Sequence, residues 1–131
     1  MQINWLAAVA GAVAAFVVGG VWYSPLLFAR AWQREAGVSD EALRSGGQGR
    51  IFLLAFVLLI VASVVFAAFL GPRPALGFAT AAGLAAGVTW VAAGLGVIYL
   101  FERRSLRLFL INGAYLVLAF TVIGAVLGAW H

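Results

Sequence analysis

Four long apolar runs separated by short polar gaps dominate this chain. A helix that crosses a bilayer needs about 20 mostly apolar residues at 1.5 Å rise each. The runs cover approximately residues 3–28, 51–70, 75–101 and 108–130, and each reaches that length. The second is the purest: fifteen of the twenty residues from Ile51 to Leu70 are Ile, Leu, Val or Phe. At roughly 0.3–0.6 kcal/mol each, these favour insertion by about 5–9 kcal/mol. The third run is long and rich in Gly and Ala, so tilt or bending is expected. The pattern predicts an all-α membrane protein, one domain over residues 1–131, with four transmembrane helices in an antiparallel bundle.

The gaps differ in kind. Residues 30–50 read as a polar loop with four Arg and three acids, loosened before the second run by Gly46, Gly47 and Gly49. Within it, Ser39-Asp40-Glu41 has the form of a capped start, predicting one short helical turn that ends at Arg44. Gly71-Pro72-Arg73-Pro74 predicts a tight turn, since each proline blocks helix continuation. The last connection, Glu102 to Arg107, is short. Pro25 is expected to kink or end the first helix, with Ser24 satisfying freed backbone groups.

Composition sharpens this picture. Charged residues make up 9% of the 131, and mean hydropathy is +1.12. Soluble domains carry about a quarter charged residues, so lipid is the solvent that suits this chain. The net charge of +4 resides in sparse arginines between apolar runs, which is the distribution of topology determinants, and nucleic-acid binding is not expected. There is no cysteine, and the only histidine is His131, so no metal site and no cofactor are expected. The amino end, Met1-Gln2-Ile3-Asn4-Trp5, offers no positive n-region, so the first run is expected to stay in the mature protein.

Orientation follows from counting arginines by side. The first and third gaps hold Arg30, Arg34, Arg44, Arg50, Arg103, Arg104 and Arg107, whereas the opposite side holds Arg73 alone. The positive-inside rule places those two gaps in the cytoplasm and both termini on the non-cytoplasmic side of an inner membrane. Trp5 and Trp130 then mark the outer interface, and Trp22, Tyr23, Trp32 and Tyr99 the inner one.

Between helices in lipid, small residues permit close contact and polar residues supply hydrogen bonds. Ala7, Gly11, Ala15 and Gly19 form a stripe at four-residue spacing on the first run; Ala79, Gly83 and Gly87 form one on the third, and Gly124 and Gly128 one on the fourth. Seams within the chain and seams between copies are both open on this reading. A faint internal repeat pairs Gly20-Val21-Trp22-Tyr23 with Gly96-Val97-Ile98-Tyr99, as a parallel duplication of a two-helix hairpin would.

Polar residues inside spans are functional candidates by default. Here Tyr23, Ser24, Tyr99, Glu102, Asn112 and Tyr115 gather near the inner boundary. Tyr99, Glu102 and Arg103 share one helix face, Asn112 and Tyr115 another, and the short turn between the helices lets these faces meet. The cluster is either a small binding pocket or an interfacial ion pair with packing hydrogen bonds. Trp90, near mid-bilayer, calls for an acceptor for its N–H, with Thr89 and Thr121 in reach. No nucleophile with a base, no paired carboxylates and no phosphate-cradling loop is present, so catalysis is not expected. An acid in mid-span, which proton-coupled export of the small multidrug type would require, is also missing.

Several of these residues occur together in one known pattern. Asn4-Trp5, the Trp22-Tyr23-Ser24-Pro25 box with Trp32 after it, and Phe101-Glu102-Arg103-Arg104-Ser105 are followed by Ile111-Asn112-Gly113-Ala114-Tyr115 and Gly128-Ala129-Trp130. The chain thereby resembles the bacterial integral-membrane family known as domain of unknown function 1761. The resemblance implies a four-helix membrane protein and brings no activity or catalytic residue with it. The expected role is a non-enzymatic, self-associating bundle in the lipid bilayer, acting as a structural or accessory subunit or binding a lipid or small apolar molecule. The alternative is a small transporter or channel whose inner mouth is lined by Tyr99, Glu102, Asn112 and Tyr115.

Overall fold

The computed structural model describes residues 2–130, so His131 lies outside the described residues. Helix α1 spans Trp5–Trp22, and the side chain of Asn4 caps it by accepting from the Ala7 N–H at 3.1 Å. It stops at Trp22, well short of the predicted residue 28. Pro25 disfavours helical geometry at the residue before it. The Ser24 hydroxyl closes the end, donating to the Val21 carbonyl at 2.7 Å and accepting from Leu26 N–H at 3.3 Å.

The segment read as a polar loop is more ordered than its composition indicates. It forms helix α2, Ala29–Ala36, which ends at Gly37 with φ 73°, a left-handed conformation that costs glycine little. Helix α3, Asp40–Arg44, follows as predicted, with Ser39 accepting from Ala42 N–H at 3.0 Å. Helix α4 covers Gln48–Leu70. After the Gly71–Pro74 turn, α5 spans Leu76–Ala86, widens into π-helical bonding over Gly87–Ala92, and continues as α6, Ala93–Glu102. The irregularity expected of the third run is thus a π segment within one continuous span, Leu76–Glu102. Arg103 takes left-handed backbone (φ 59°), and the Arg103 and Arg104 N–H groups close the helix on Leu100 and Tyr99 carbonyls. Helix α7, Leu106–Ala129, starts at Ser105, whose hydroxyl accepts from Leu108 N–H. Among the described residues four helices, α1, α4, α5–α6 and α7, are long and apolar enough to cross a membrane.

Spans α1, α7 and α5–α6 form a row, with α4 set against its α1–α7 side. Helix α7 packs on α1 on one side and on α5–α6 on the other, and α4 packs on α1 and also reaches α7, where Phe66 meets Phe120 edge-on at 6.0 Å. Neighbours run antiparallel, as their contacts show. The Asn4 amide at the start of α1 donates to the Trp130 carbonyl at the end of α7 (3.0 Å), whereas Trp22 at the end of α1 bonds Ile111 near the start of α7. Between α1 and α4, Phe16 stacks edge-on against Phe52 and Phe56, and the buried Ser63 hydroxyl donates to the Ala8 carbonyl at 2.7 Å.

Small residues decide how near these helices come. The first stripe is used within the chain: Ala7, Gly11 and Ala15 are buried, a Cβ on Gly11 would stand 3.1 Å from Ser63 Oγ, and one on Gly19 3.0 Å from the Tyr115 hydroxyl. The α5–α7 seam is tighter. A Cβ on Gly83 would overlap the Phe120 carbonyl oxygen, and one on Gly124 the Ala79 carbonyl oxygen. On Gly87 it would lie 2.8 Å from Val117 Cα, and on Gly128 2.7 Å from Leu76 Cα. Backbone cannot give way as a side-chain tip can, so glycine is required at all four positions.

Trp90 departs from expectation. It is 77% exposed on the outer surface, and Thr89 and Thr121 bond their own helix instead, to the Ala85 and Val117 carbonyls. A threonine hydroxyl in a helix reaches the carbonyl four residues back without any neighbouring helix.

Gly83→Ala and Gly124→Ala are each expected to destabilise the protein by about 2 kcal/mol or more. Gly20→Ala and Gly49→Ala, where a Cβ meets nothing within 4 Å, should leave stability unchanged or raise it slightly. Thermal unfolding in detergent, read by loss of helical circular dichroism, checks both pairs.

Candidate functional site

Where α1 ends and α7 begins, aromatic and amide groups from three spans converge. Tyr23 immediately follows α1, Tyr99 lies in the last turn of α6, and Asn112 and Tyr115 share a face of α7 at i and i+3. The Tyr23 hydroxyl donates to Asn112 Oδ1 at 2.6 Å, and Asn112 Nδ2 donates to the Tyr99 hydroxyl at 2.7 Å. One amide thus joins the spans on both sides of α7. The two tyrosines it bonds are the pair that the repeat had matched.

Around this bridge the aromatic packing is dense. The Tyr115 ring meets Tyr23 edge-on at 5.5 Å, and its hydroxyl donates to the Ala15 carbonyl at 3.0 Å. That bond uses the room left by Gly19. Trp22 Nε1 donates to the Ile111 carbonyl at 2.9 Å while its ring tilts onto Phe28 at 4.7 Å. From α2, Trp32 approaches the Tyr23 ring edge-on at 6.1 Å. Such edge contacts add about 0.5–1.5 kcal/mol each to the area they bury. Helix α2 is itself held: the Ser105 hydroxyl donates to Glu35 Oε1 at 2.6 Å, and Arg104 Nη1 reaches the Ala36 carbonyl at 3.4 Å.

Of the six polar residues predicted to gather here, four do. Tyr23, Tyr99, Asn112 and Tyr115 form the cluster, whereas Ser24 is spent on capping α1 and Glu102 lies outside. The physical reason is the chain reversal at Arg103: Glu102 is the last residue of α6 and pairs across the turn with Arg104 Nε at 3.2 Å, half exposed. An ion pair so exposed contributes at most about 1 kcal/mol. The i, i+4 face shared with Arg103 is likewise lost to its left-handed backbone.

Three contributors to this end, and one hydroxyl away from it, were not anticipated from the sequence. Trp22 and Trp32 carried only an interface signal, yet one bonds α7 and the other clamps Tyr23. Ser63 lies in the purest apolar run, where a lone hydroxyl was itself the signal. Glu35 had none, because its Ser105 partner is seventy residues away.

Chemically, the cluster can bind and orient but offers little for reaction. Tyr23, Tyr99, Asn112 and Tyr115 include no carboxylate, imidazole, amine or thiol. Asn112 gives one acceptor and one donor to its neighbours, and among the described residues no buried side-chain nitrogen or oxygen lacks a partner. No group of three or more potential metal ligands occurs among the described residues.

Asn112→Leu is expected to lower stability by about 1–2 kcal/mol, since it removes both bridging bonds and leaves two phenols unpaired. Tyr99→Phe should cost about half as much and become nearly neutral in the Asn112→Leu background; Glu102→Gln should be neutral throughout. A double-mutant thermal-denaturation cycle checks this, and equal losses from Asn112→Leu and Glu102→Gln would contradict the bonding described.

No curated protein and no solved structure matches this chain. The model of the family described as "Protein of unknown function (DUF1761)" matches residues 6–128, nearly the whole sequence. On that match, the chain belongs to that family.

Proposed function

We propose that this protein is a non-enzymatic, self-associating subunit of a bacterial inner membrane, with both termini on the non-cytoplasmic side and a structural or accessory role. The orientation rests on the arginine count, seven at the end that holds α2 and α3 against one at the other. The polar cluster acts as a structural clasp at the cytoplasmic end, because its groups are committed to one another across three spans.

Self-association no longer draws on the stripes of α1 and α7, which are consumed inside the chain. It draws on the outward face of the third span. Gly77, Ala81, Ala85, Thr89 and Ala93 recur every four residues there and are all exposed. The observation that carries the reading is Trp90. At the middle of a 27-residue span its indole N–H faces outward with no acceptor among the described residues. An unpaired donor in hydrocarbon costs on the order of several kcal/mol, and a second copy docked on this small-residue face would supply the acceptor.

The transporter alternative needs free polar groups along a path. Commitment of Asn112 and three tyrosines to internal bonds favours the clasp.

The test is native mass spectrometry in mild detergent, paired with crosslinking through an Ala85→Cys substitution in this otherwise cysteine-free chain. Dimers or larger assemblies are expected, weakened roughly threefold to tenfold by Trp90→Phe and abolished by Ala85→Phe. Leu58→Phe, on the exposed face of α4, should leave them intact. Monomer alone in both measurements would refute self-association.

A further inference from the structure

Helix α2 carries groups that the clasp leaves unused. Arg30 and Arg34 lie four residues apart, hence on one face, and both are exposed. Neither takes part in an ion pair; among the described residues that interaction is confined to Arg104 and Glu102. With Gln33, Val38 and Asp40 they line an open groove of about 420 Å³. Gln33 Nε2 donates to Asp40 Oδ1 at 2.6 Å, which ties the start of α3 to α2 and fixes one wall. The bonds from Ser105 and Arg104, and the Trp32–Tyr23 contact, hold α2 against α7. Two guanidinium groups are therefore presented from a fixed platform.

The chain just ahead of α2 is apolar and bare. Between the end of α1 at Trp22 and the start of α2 at Ala29, Leu26 and Leu27 are 89% and 52% exposed. Bare leucines within four residues of the unpaired Arg30 in sequence, just past the end of a span, match the boundary between acyl chains and headgroups. The surrounding rim adds to the field: seven arginines against Glu35, Asp40, Glu41 and Glu102 leave 7 − 4 = +3.

We propose that this groove binds an acidic phospholipid, its phosphate held by Arg30 and Arg34 and its acyl chains lying along Leu26 and Leu27. The planar guanidinium fork fits phosphate oxygens, and clustered basic residues at a membrane edge recognise anionic lipid. A zwitterionic lipid offers the same phosphate but brings its own cation to a rim already at +3. A free phosphate gains nothing from the leucines.

Native mass spectrometry of the full chain tests this, with the protein released from micelles doped with phosphatidylglycerol, phosphatidylethanolamine or phosphatidylcholine. Phosphatidylglycerol should be retained roughly tenfold over phosphatidylcholine. The Arg30→Ala/Arg34→Ala pair should erase that preference, while Arg44→Ala/Arg50→Ala, with the same charge change on the same side, should keep it. Should the first pair fail to fold, R30Q/R34Q and the wild-type lipid preference decide. Equal retention of all three lipids, a preference for phosphatidylethanolamine, or equal loss in both pairs would overturn the proposal. So would displacement of the lipid by excess inorganic phosphate, since the headgroup chemistry alone would then suffice. The readout is lipid bound per chain, so it stands or falls independently of whether copies associate.

Discussion

Backbone meets backbone where Gly83 and Gly87 of the third span face Phe120 and Val117, and where Gly124 and Gly128 of α7 face Ala79 and Leu76. In lipid there is no hydrophobic gain from bringing two apolar helices together, so van der Waals contact at this distance must supply the association. That close approach places α7 against α5–α6, and the stripe of small residues on α1 allows a second approach from the other side. The order of the row follows from which surfaces are flat enough to touch. Helix α4, bulky and exposed over most of its surface, lies against α1 and α7, joined through Ser63, the Phe16 pairs and the Phe66–Phe120 contact.

With the helices so placed, one end can be locked by hydrogen bonds. Asn112 reaches a tyrosine on each side because α1 and α5–α6 both lie within one side-chain length of α7. Glycine contacts thus set the spacing that the polar bridge depends on, and the bridge in turn fixes the depth at which the spans meet. Trp32 and Ser105 extend the lock to α2, so the arginine-bearing segment is braced by the same end of the bundle. What the protein presents outward is then a Trp-marked face on the third span and a basic groove at one rim.

Much of this was legible in the chain. Long apolar runs, prolines at turns and the Ser39 cap are local signals; the reversal at residues 71–74, α3 and the four spans follow them, except that α1 ends at Trp22 and not at residue 28. The seams were legible as stripes, but their partners were not, because a glycine at a given spacing does not say which helix it faces. Helix α2 was hidden by its charge: eight residues rich in Arg, Gln and Glu read as loop until their partners on α7 are known. Glu102 was misplaced by one backbone conformation, the left-handed Arg103, which no residue type at that position announces. Trp90 was misread because burial was inferred from depth in the membrane, whereas the helix face decides it.

Helix α7 lies between α1 and α5–α6, and the absence of native cysteine opens this arrangement to paired-cysteine crosslinking in membranes. Gly11→Cys with Ile123→Cys joins α1 to α7, Gly96→Cys with Phe109→Cys joins α6 to α7, and Ala12→Cys with Ala86→Cys probes α1 against α5. The first two pairs should form intramolecular disulfides on mild oxidation, and the third should not. Efficient crosslinking of the third pair within one chain would show a closed bundle in which α1 touches α5, and would contradict the row.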